Sequence, residues 1–273
     1  MTNALPKIGA AMRIESLPQH IDWLLAGQRD LEIQDGAYFE VLDGDWRGLA
    51  YQARQVLDGH QGRLGIHGPF ISLTLLARDP KIRTVVSDRL RQGLDFAHAL
   101  GATHMVLHSP FDFFGNPFLP HSPGHGQADQ LETIHTLLDP LLPIAQAANC
   151  TLVVETIHDT HPGPLLALIR SFNSPFVRMS LDTGHAFIKH LVGGPPPDLW
   201  VREAGELLGH LHIQDTDGQL DRHWPPGYGR INWYALFEAL RTLQQSPRLV
   251  LELRNHADIP RGAQWLVAQG LVT

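Results

Sequence analysis

One cysteine, Cys150, is all that the 273 residues contain. No disulfide can form within the chain, and a structural zinc site built on its own cysteine thiolates is excluded. Cys150 is expected beside a strand as a small buried residue. Positive charge is also short: 21 Lys and Arg against 28 Asp and Glu leave a net charge of −7. Affinity for nucleic acid regardless of sequence comes from neutralising phosphates with basic side chains, so nucleic acid and anionic membranes are disfavoured as partners. No apolar run approaches the roughly 18 residues that cross a bilayer. The start, MTNALPKIGAAMRIESL, lacks a charged segment followed by an apolar one. A cytoplasmic protein without membrane association is expected. There is no Gly-x₄-Gly-Lys-[Ser/Thr] phosphate loop and no Gly-x-Ser-x-Gly nucleophile elbow. Gly227-x-Gly229 is too short for a dinucleotide fingerprint and is expected to shape a loop instead.

Short strand-like runs alternate with longer helix-periodic ones along the chain, which is the pattern of repeated βα units around a parallel sheet. Strands are predicted at Ile8 to Met12, Leu31 to Gln34, Leu64 to His67, Met105 to His108, Leu152 to Glu155, Val177 to Asp182, Leu211 to Ile213 and Leu249 to Leu253. Helical periodicity is clearest after the third strand, where Ile82, Val85, Val86, Leu90, Gly93, Leu94 and Ala97 form one apolar face. Arg83, Arg89 and Arg91 would point outward as a solvated face. Further helices are expected near Gln127 to Ala148, Pro164 to Ser171, Pro197 to Leu208, Ile231 to Gln245 and Arg261 to Gln269. Eight strands in a chain close to the ~250 residues of a barrel predict a (β/α)₈ TIM barrel forming one domain over residues 1–273. The stretch from Pro110 to Gln127, rich in Phe, Pro and Gly, follows the fourth strand. It suits either a lid or a surface that packs against a second subunit of a homodimer.

The loops after the strand ends carry a barrel's active site, and there the chain concentrates nine metal-grade side chains. They are His67, His108, Glu155, Asp182 with His185, His212, Asp221 with His223, and Glu252. Five imidazoles with four carboxylates suit a transition metal such as zinc or manganese better than magnesium. One ion takes four to six ligands, so nine, several able to bridge, imply more than one ion. The bland alternative is a hydrogen-bonded network without metal. Against it, Glu155, Asp182 and Glu252 would then crowd unpaired charges into one pocket. The remaining twelve histidines, His20, His60 and His135 among them, are assigned ordinary core or surface roles. His121, His125, His158 and His161 fall on the active-site side without a telling spacing, and Trp233 is expected to pack.

Taken in order, HGPF, LHSP, VVET, LDTGH, HLHIQD, DRHWPPGYGRINW and LELR resemble the successive motifs of the xylose-isomerase-like TIM barrels. That superfamily also contains apurinic endonucleases of the endonuclease IV type. The resemblance runs from about Ile8 to about Leu266 and leaves two activities open. In the sugar and sugar-phosphate isomerase/epimerase branch, one divalent ion is held by a quartet matched here by Glu155, Asp182, His212 and Glu252. Glu155 and Glu252 would then act as base and acid around a metal-stabilised enediolate, with His185 on a substrate hydroxyl. In the endonuclease branch the same nine residue types hold three zinc ions. There His67 and His108 would share an ion with Glu155, His185 would join Asp221 and His223, and a hydroxide bridging the ions would attack phosphorus. The resemblance therefore implies one to three zinc or manganese ions per chain. The favoured reaction is isomerisation or epimerisation of a small sugar, polyol or sugar phosphate, with phosphodiester hydrolysis as the alternative.

Overall fold

The computed structural model describes residues 5–111 and 125–273. Eight parallel strands hydrogen-bond in sequence order into a closed barrel. They are β1 (Gly9–Met12), β2 (Leu31–Ile33), β3 (Leu64–His67), β4 (His104–His108), β5 (Thr151–Glu155), β6 (Val177–Asp182), β7 (Leu208–Ile213) and β8 (Arg248–Leu251). The ring closes where Gly9 pairs with Val250 and Ala10 with Leu251. The expected (β/α)₈ architecture is what the chain adopts.

Helices cover the outside of the barrel. They are α1 (Leu17–Gly27), α2 (Phe39–Asp43), α3 (Trp46–Val56), α4 (Pro80–Leu100), α5 (His125–Leu138), α6 (Leu142–Ala147), α7 (Pro162–Ser171), α8 (Thr183–His190), α9 (Pro197–Ala204), α10 (Trp233–Arg241) and α11 (Ile259–Ala268). Because helices screen one face of the sheet and side chains fill the other, the strands read as near-continuous apolar runs. The main core lies between sheet and helices, where Met12, Ile66, Phe96, Trp200 and Phe237 are all buried. Cys150 is free and buried in that layer, just before β5, where burial pushes its thiol up to about 12.

Two helices depart from expectation. The apolar face of α4 begins later than its periodicity suggested: Val86, Leu90, Gly93, Leu94 and Ala97 are buried, whereas Ile82 is 52% and Val85 51% exposed. A 21-residue helix outreaches the strand it covers, so its first turns project beyond the barrel. The single helix expected over 127–148 is broken between α5 and α6. Pro140 supplies no N–H and crowds the carbonyl four residues back, and Pro143 then sits in the first turn of α6.

No helix among the described residues is long and apolar enough to cross a membrane. The lid or dimer surface expected at Pro110 to Gln127 lies mainly outside the described residues, as do His121 and the side chain of His125.

Candidate metal centre

All nine metal-grade residues lie at the C-terminal mouth of the barrel. His67, His108, Glu155 and Asp182 are the last residues of β3, β4, β5 and β6, His212 is in β7, and Glu252 follows β8. Strand register brings them together: His108 pairs with Glu155 and Asp182 with His212. His185 is in the first turn of α8, which Asp182 caps by accepting from the His185 backbone N–H at 2.7 Å. Gly184 between them is obligatory for space, since a Cβ there would lie 2.2 Å from Gln214 Nε2. That amide donates to Asp182 Oδ1 at 3.1 Å and Asp221 Oδ1 at 2.7 Å, while Gln214 Oε1 accepts from the His223 N–H at 3.1 Å.

The nine residues gather in three sets around a cavity of about 1020 Å³, and His212 also joins a fourth set with Glu32 and His210. Glu155, Asp182, His212 and Glu252 offer one atom each within 4.8 Å of one another; so do His67, His108 and Glu155, and so do His185, Asp221 and His223. Glu155 joins two sets through different oxygens. Its Oε1 lies 2.7 Å from His212 Nδ1, and its Oε2 lies 3.7 Å from His67 Nε2 and 3.8 Å from His108 Nε2. Asp221 similarly faces His185 Nε2 at 3.4 Å and His223 Nε2 at 2.9 Å. Phe70 stacks on the His108 ring with centroids 4.0 Å apart.

Three rings have their tautomer set by backbone carbonyls, which can only accept. The Nδ1–H of His67 donates to Gly68 O at 2.9 Å, that of His185 to Thr156 O at 2.8 Å and that of His223 to Glu252 O at 2.9 Å. Each Nε2 therefore faces the cavity as a potential ligand. Two buried carboxylate oxygens, Glu155 Oε2 and Asp182 Oδ2, have no hydrogen-bond partner among the described residues. Buried anionic oxygens without partners are costly, and cations bound at the sets these residues belong to would satisfy them. The donor set thus fits a divalent transition metal.

The electrostatics agree. Burial pushes the Asp182 carboxyl up to about 6, against the pull of His185. Burial would also raise Glu155, but the imidazoles of His212, His67 and His108 hold it well below the usual carboxylate range. Burial drives His108 down to about 3. For His223 burial works downward too, yet Asp221, Glu252 and Asp182 outweigh it and raise the ring to about 9. His185 and His212 are likewise lifted well above the ordinary range by surrounding carboxylates, in spite of burial.

Several residues at the site were not foreseen. Glu32 on β2 is buried within the barrel, where it accepts from His104 Nε2 at 3.0 Å and His212 Nε2 at 2.9 Å and faces His210 Nε2 at 3.2 Å. Gln34 and His256 line the cavity beside Glu252. Asp215 organises the loop that carries Asp221 and His223, accepting from the N–H of Thr216 at 2.9 Å and Gly227 at 2.9 Å and from the indole of buried Trp233 at 3.1 Å. His20, assigned an ordinary core role, is buried with its ring nitrogens unbonded among the described residues, and burial lowers its pKa. The signal for Glu32 and His210 was strand alternation, which puts Glu32 with Gln34 and His210 with His212 on common faces.

A model of the xylose isomerase-like TIM barrel family matches residues 33–269. The chain belongs to that family. It is similar to the TTHB071 protein of Thermus thermophilus, solved after soaking with ZnCl2, at 26% identity and a TM-score of 0.70, covering 97% of this chain and 99% of that one. A D-tagatose 3-epimerase-like protein superposes with a TM-score of 0.76 at 19% identity, over 97% of this family member and 98% of the other chain. A D-psicose 3-epimerase from Clostridium cellulolyticum H10, solved with D-tagatose, gives 0.72 at 17% identity over 98% and 100% of the two chains. The curated relative MJ1311 of Methanocaldococcus jannaschii, itself uncharacterized, is 20% identical over 219 residues, 78% of this chain and 71% of that protein. At 17–19% identity the likeness to the two epimerase structures speaks for the barrel alone.

Proposed function

We propose that this family member is a divalent-metal-dependent isomerase or epimerase of a small sugar, polyol or sugar phosphate, with manganese or zinc held by Glu155, Asp182, His212 and Glu252. One observation carries the reading: two glutamates from strands far apart in sequence converge on a single nitrogen. Glu155 Oε1 and Glu252 Oε2 lie 2.7 and 3.2 Å from His212 Nδ1, with Asp182 completing the set. Bound there, a divalent ion would supply Lewis-acid polarisation of a carbonyl and its neighbouring hydroxyl. The two carboxylates would do the proton work. The ionised one removes the proton from the carbon next to the carbonyl and keeps it, and the other, entering the step protonated, delivers its own proton to the opposite face. His185, whose Nε2 faces the cavity, would hold a substrate hydroxyl. The epimerase descriptions of the structures that share this barrel support the same substrate class.

The test is solvent exchange. Metal-loaded protein incubated in D2O with ketohexoses, ketopentoses and their phosphates should place deuterium on one substrate carbon, read by proton NMR. Glu155→Gln and Glu252→Gln should each slow that exchange by about 10²–10⁴-fold, the usual contribution of a positioned acid or base. No exchange by the metal-loaded wild type across these sugars would overturn the reading.

A second reading, metal-dependent hydrolysis of a phosphoester, is favoured by the two further donor sets, which a one-ion isomerase would use only to bind substrate. In it His67, His108, His185, Asp221 and His223 hold additional ions that neutralise a phosphoryl group. Elemental analysis of protein purified without added metal or chelator separates the two: about three zinc ions per chain favour hydrolysis, one ion favours isomerisation.

A further inference from the structure

Among the strands around the mouth, β2 supplies none of the nine donors, yet two of its neighbouring side chains reach the quartet from behind. Glu32 and Gln34 stand two residues apart and so share a face of the chain. Glu32 is fully buried, and its Oε1 accepts from His212 Nε2 at 2.9 Å, on the side of the ring away from Glu155 and Glu252. Its Oε2 is held by His104 Nε2 at 3.0 Å and faces His210 Nε2 at 3.2 Å. His104 in turn contacts the Arg248 guanidinium through Nδ1, so the ring hydrogen sits on Nε2 and points at Glu32. The His210 Nδ1 meets Ser180 Oγ at 2.8 Å.

Gln34 acts on the opposite ligand. Its Nε2 donates to Glu252 Oε1 at 3.1 Å, and its Oε1 accepts from His256 Nε2 at 3.2 Å. With that proton on Nε2, His256 Nδ1 accepts from the Ser16 hydroxyl at 2.8 Å. Every donor and acceptor in the run from Ser16 through His256 and Gln34 to Glu252 has one consistent direction. It ends on one carboxylate oxygen of Glu252 and leaves the other, Oε2, toward His212.

We propose that Glu32 and Gln34 are positioning residues for the quartet: Glu32 keeps the His212 proton on Nε2 so that Nδ1 faces the ion, and Gln34 fixes Glu252 with Oε2 inward. The proposal rests on the quartet being a metal site. A carboxylate behind a ligating imidazole both orients the ring and raises its basicity, and losing such a partner typically weakens metal binding by about 10–100-fold. Glu32 belongs to the barrel interior and touches neither cavity nor substrate, so its effect must pass through His212.

Cobalt(II) titration followed by calorimetry and by the visible absorption of the bound ion tests this, beside thermal melts in chelator. Glu32→Gln should weaken the quartet ion by about 10–100-fold and Gln34→Leu by about tenfold, each with an altered cobalt spectrum. Ser180→Ala, which loosens the same buried network without touching His212, should bind as the wild type does. Imidazole ¹⁵N shifts in the metal-free and loaded wild type should show a proton on His212 Nε2 in both. A bare Nε2, or wild-type affinity and spectrum in folded Glu32→Gln and Gln34→Leu, would overturn the proposal. If Glu32→Gln does not fold, Gln34→Leu and the nitrogen shifts decide. Failure of the wild type to bind cobalt would count against the metal-dependent reading, and the shifts, read without metal, would still decide whether Glu32 holds His212.

Discussion

Asp182 divides its two oxygens between two tasks. Oδ1 caps α8 and takes the Gln214 amide, while Oδ2 is buried without a partner among the described residues. Its folded pKa, raised to about 6 by burial, lies above the unfolded value, so the ionised group opposes folding as pH passes from about 4 to above 6. Asp182→Asn keeps a good helix cap and removes the charge. At pH 8 in chelator the variant should be more stable than the wild type by roughly 1–3 kcal/mol in urea unfolding. With manganese added the order should reverse, because the wild type alone keeps the anionic ligand. A metal-free variant less stable than the wild type would show that Asp182 is held by contacts other than a cation. His223 makes the opposite bargain at the backbone, where φ is 50°, a left-handed conformation that a non-glycine residue adopts at a cost of about 1–3 kcal/mol. Gln214 and the Glu252 carbonyl hold it there with its Nε2 on the cavity.

At the level of elements, the loop from Asp215 to Ile231 has no regular structure beyond the bridge between Asp215 and Trp224, yet it carries Asp221 and His223. Asp215 replaces a hydrogen-bond ladder with one carboxylate that gathers donors from Thr216, Gly227 and Trp233. Gly229 passes so close that a Cβ would sit 2.3 Å from Asp215 Oδ1. Asp215→Ala strands those donors, some of them buried, and should cost about 3 kcal/mol in urea unfolding. In the phosphoester reading, where His185, Asp221 and His223 would hold an ion, it should also release that ion before the one at the quartet, as read by elemental analysis after dialysis; an unchanged metal count in a protein that binds more than one ion would mean that the loop is held by other contacts. Strands and barrel order were legible because each strand is a short apolar run, and β3, β4, β5 and β6 end in a polar side chain at the mouth. The placement of His67, His108, Glu155, Asp182, His212 and Glu252 was legible for the same reason, since they recur at or beside equivalent strand ends, whereas His185, Asp221 and His223 lie in the segments that follow. Glu32 and Gln34 were not, since LEIQ is an ordinary alternating strand whose polar residues gain meaning only when β7 and β8 arrive beside it, about 180 and 220 residues later. The break at Pro140 was readable from the proline alone, whereas the late start of the buried face of α4 depends on how far the barrel extends.

For the whole molecule, the mouth is where stability of the metal-free fold and the proposed metal binding oppose each other. His223, raised to about 9, and His185 and His212, raised well above the ordinary range, each bind protons more tightly folded than unfolded. Their contribution to the metal-free protein is fully present below about pH 6.5 and is lost as pH climbs through the folded values. A divalent ion must displace protons from these same rings, so its affinity rises over the same interval. Binding at 100 times the dissociation constant adds about 2.7 kcal/mol to the folded state. At a fixed manganese concentration, the gap in melting temperature between metal-loaded and chelator-treated protein should therefore widen steadily from pH 6 to pH 9. The widening should come from the metal-free protein, which loses stability over this interval while the loaded one, its rings already deprotonated, changes little above about pH 6.5. Differential scanning fluorimetry across that range with a matched chelator series checks this. A gap that does not widen with rising pH would mean that the three rings are neutral in the metal-free protein, and that His185 and His223 meet Asp221 as hydrogen-bonded neighbours instead of ion pairs.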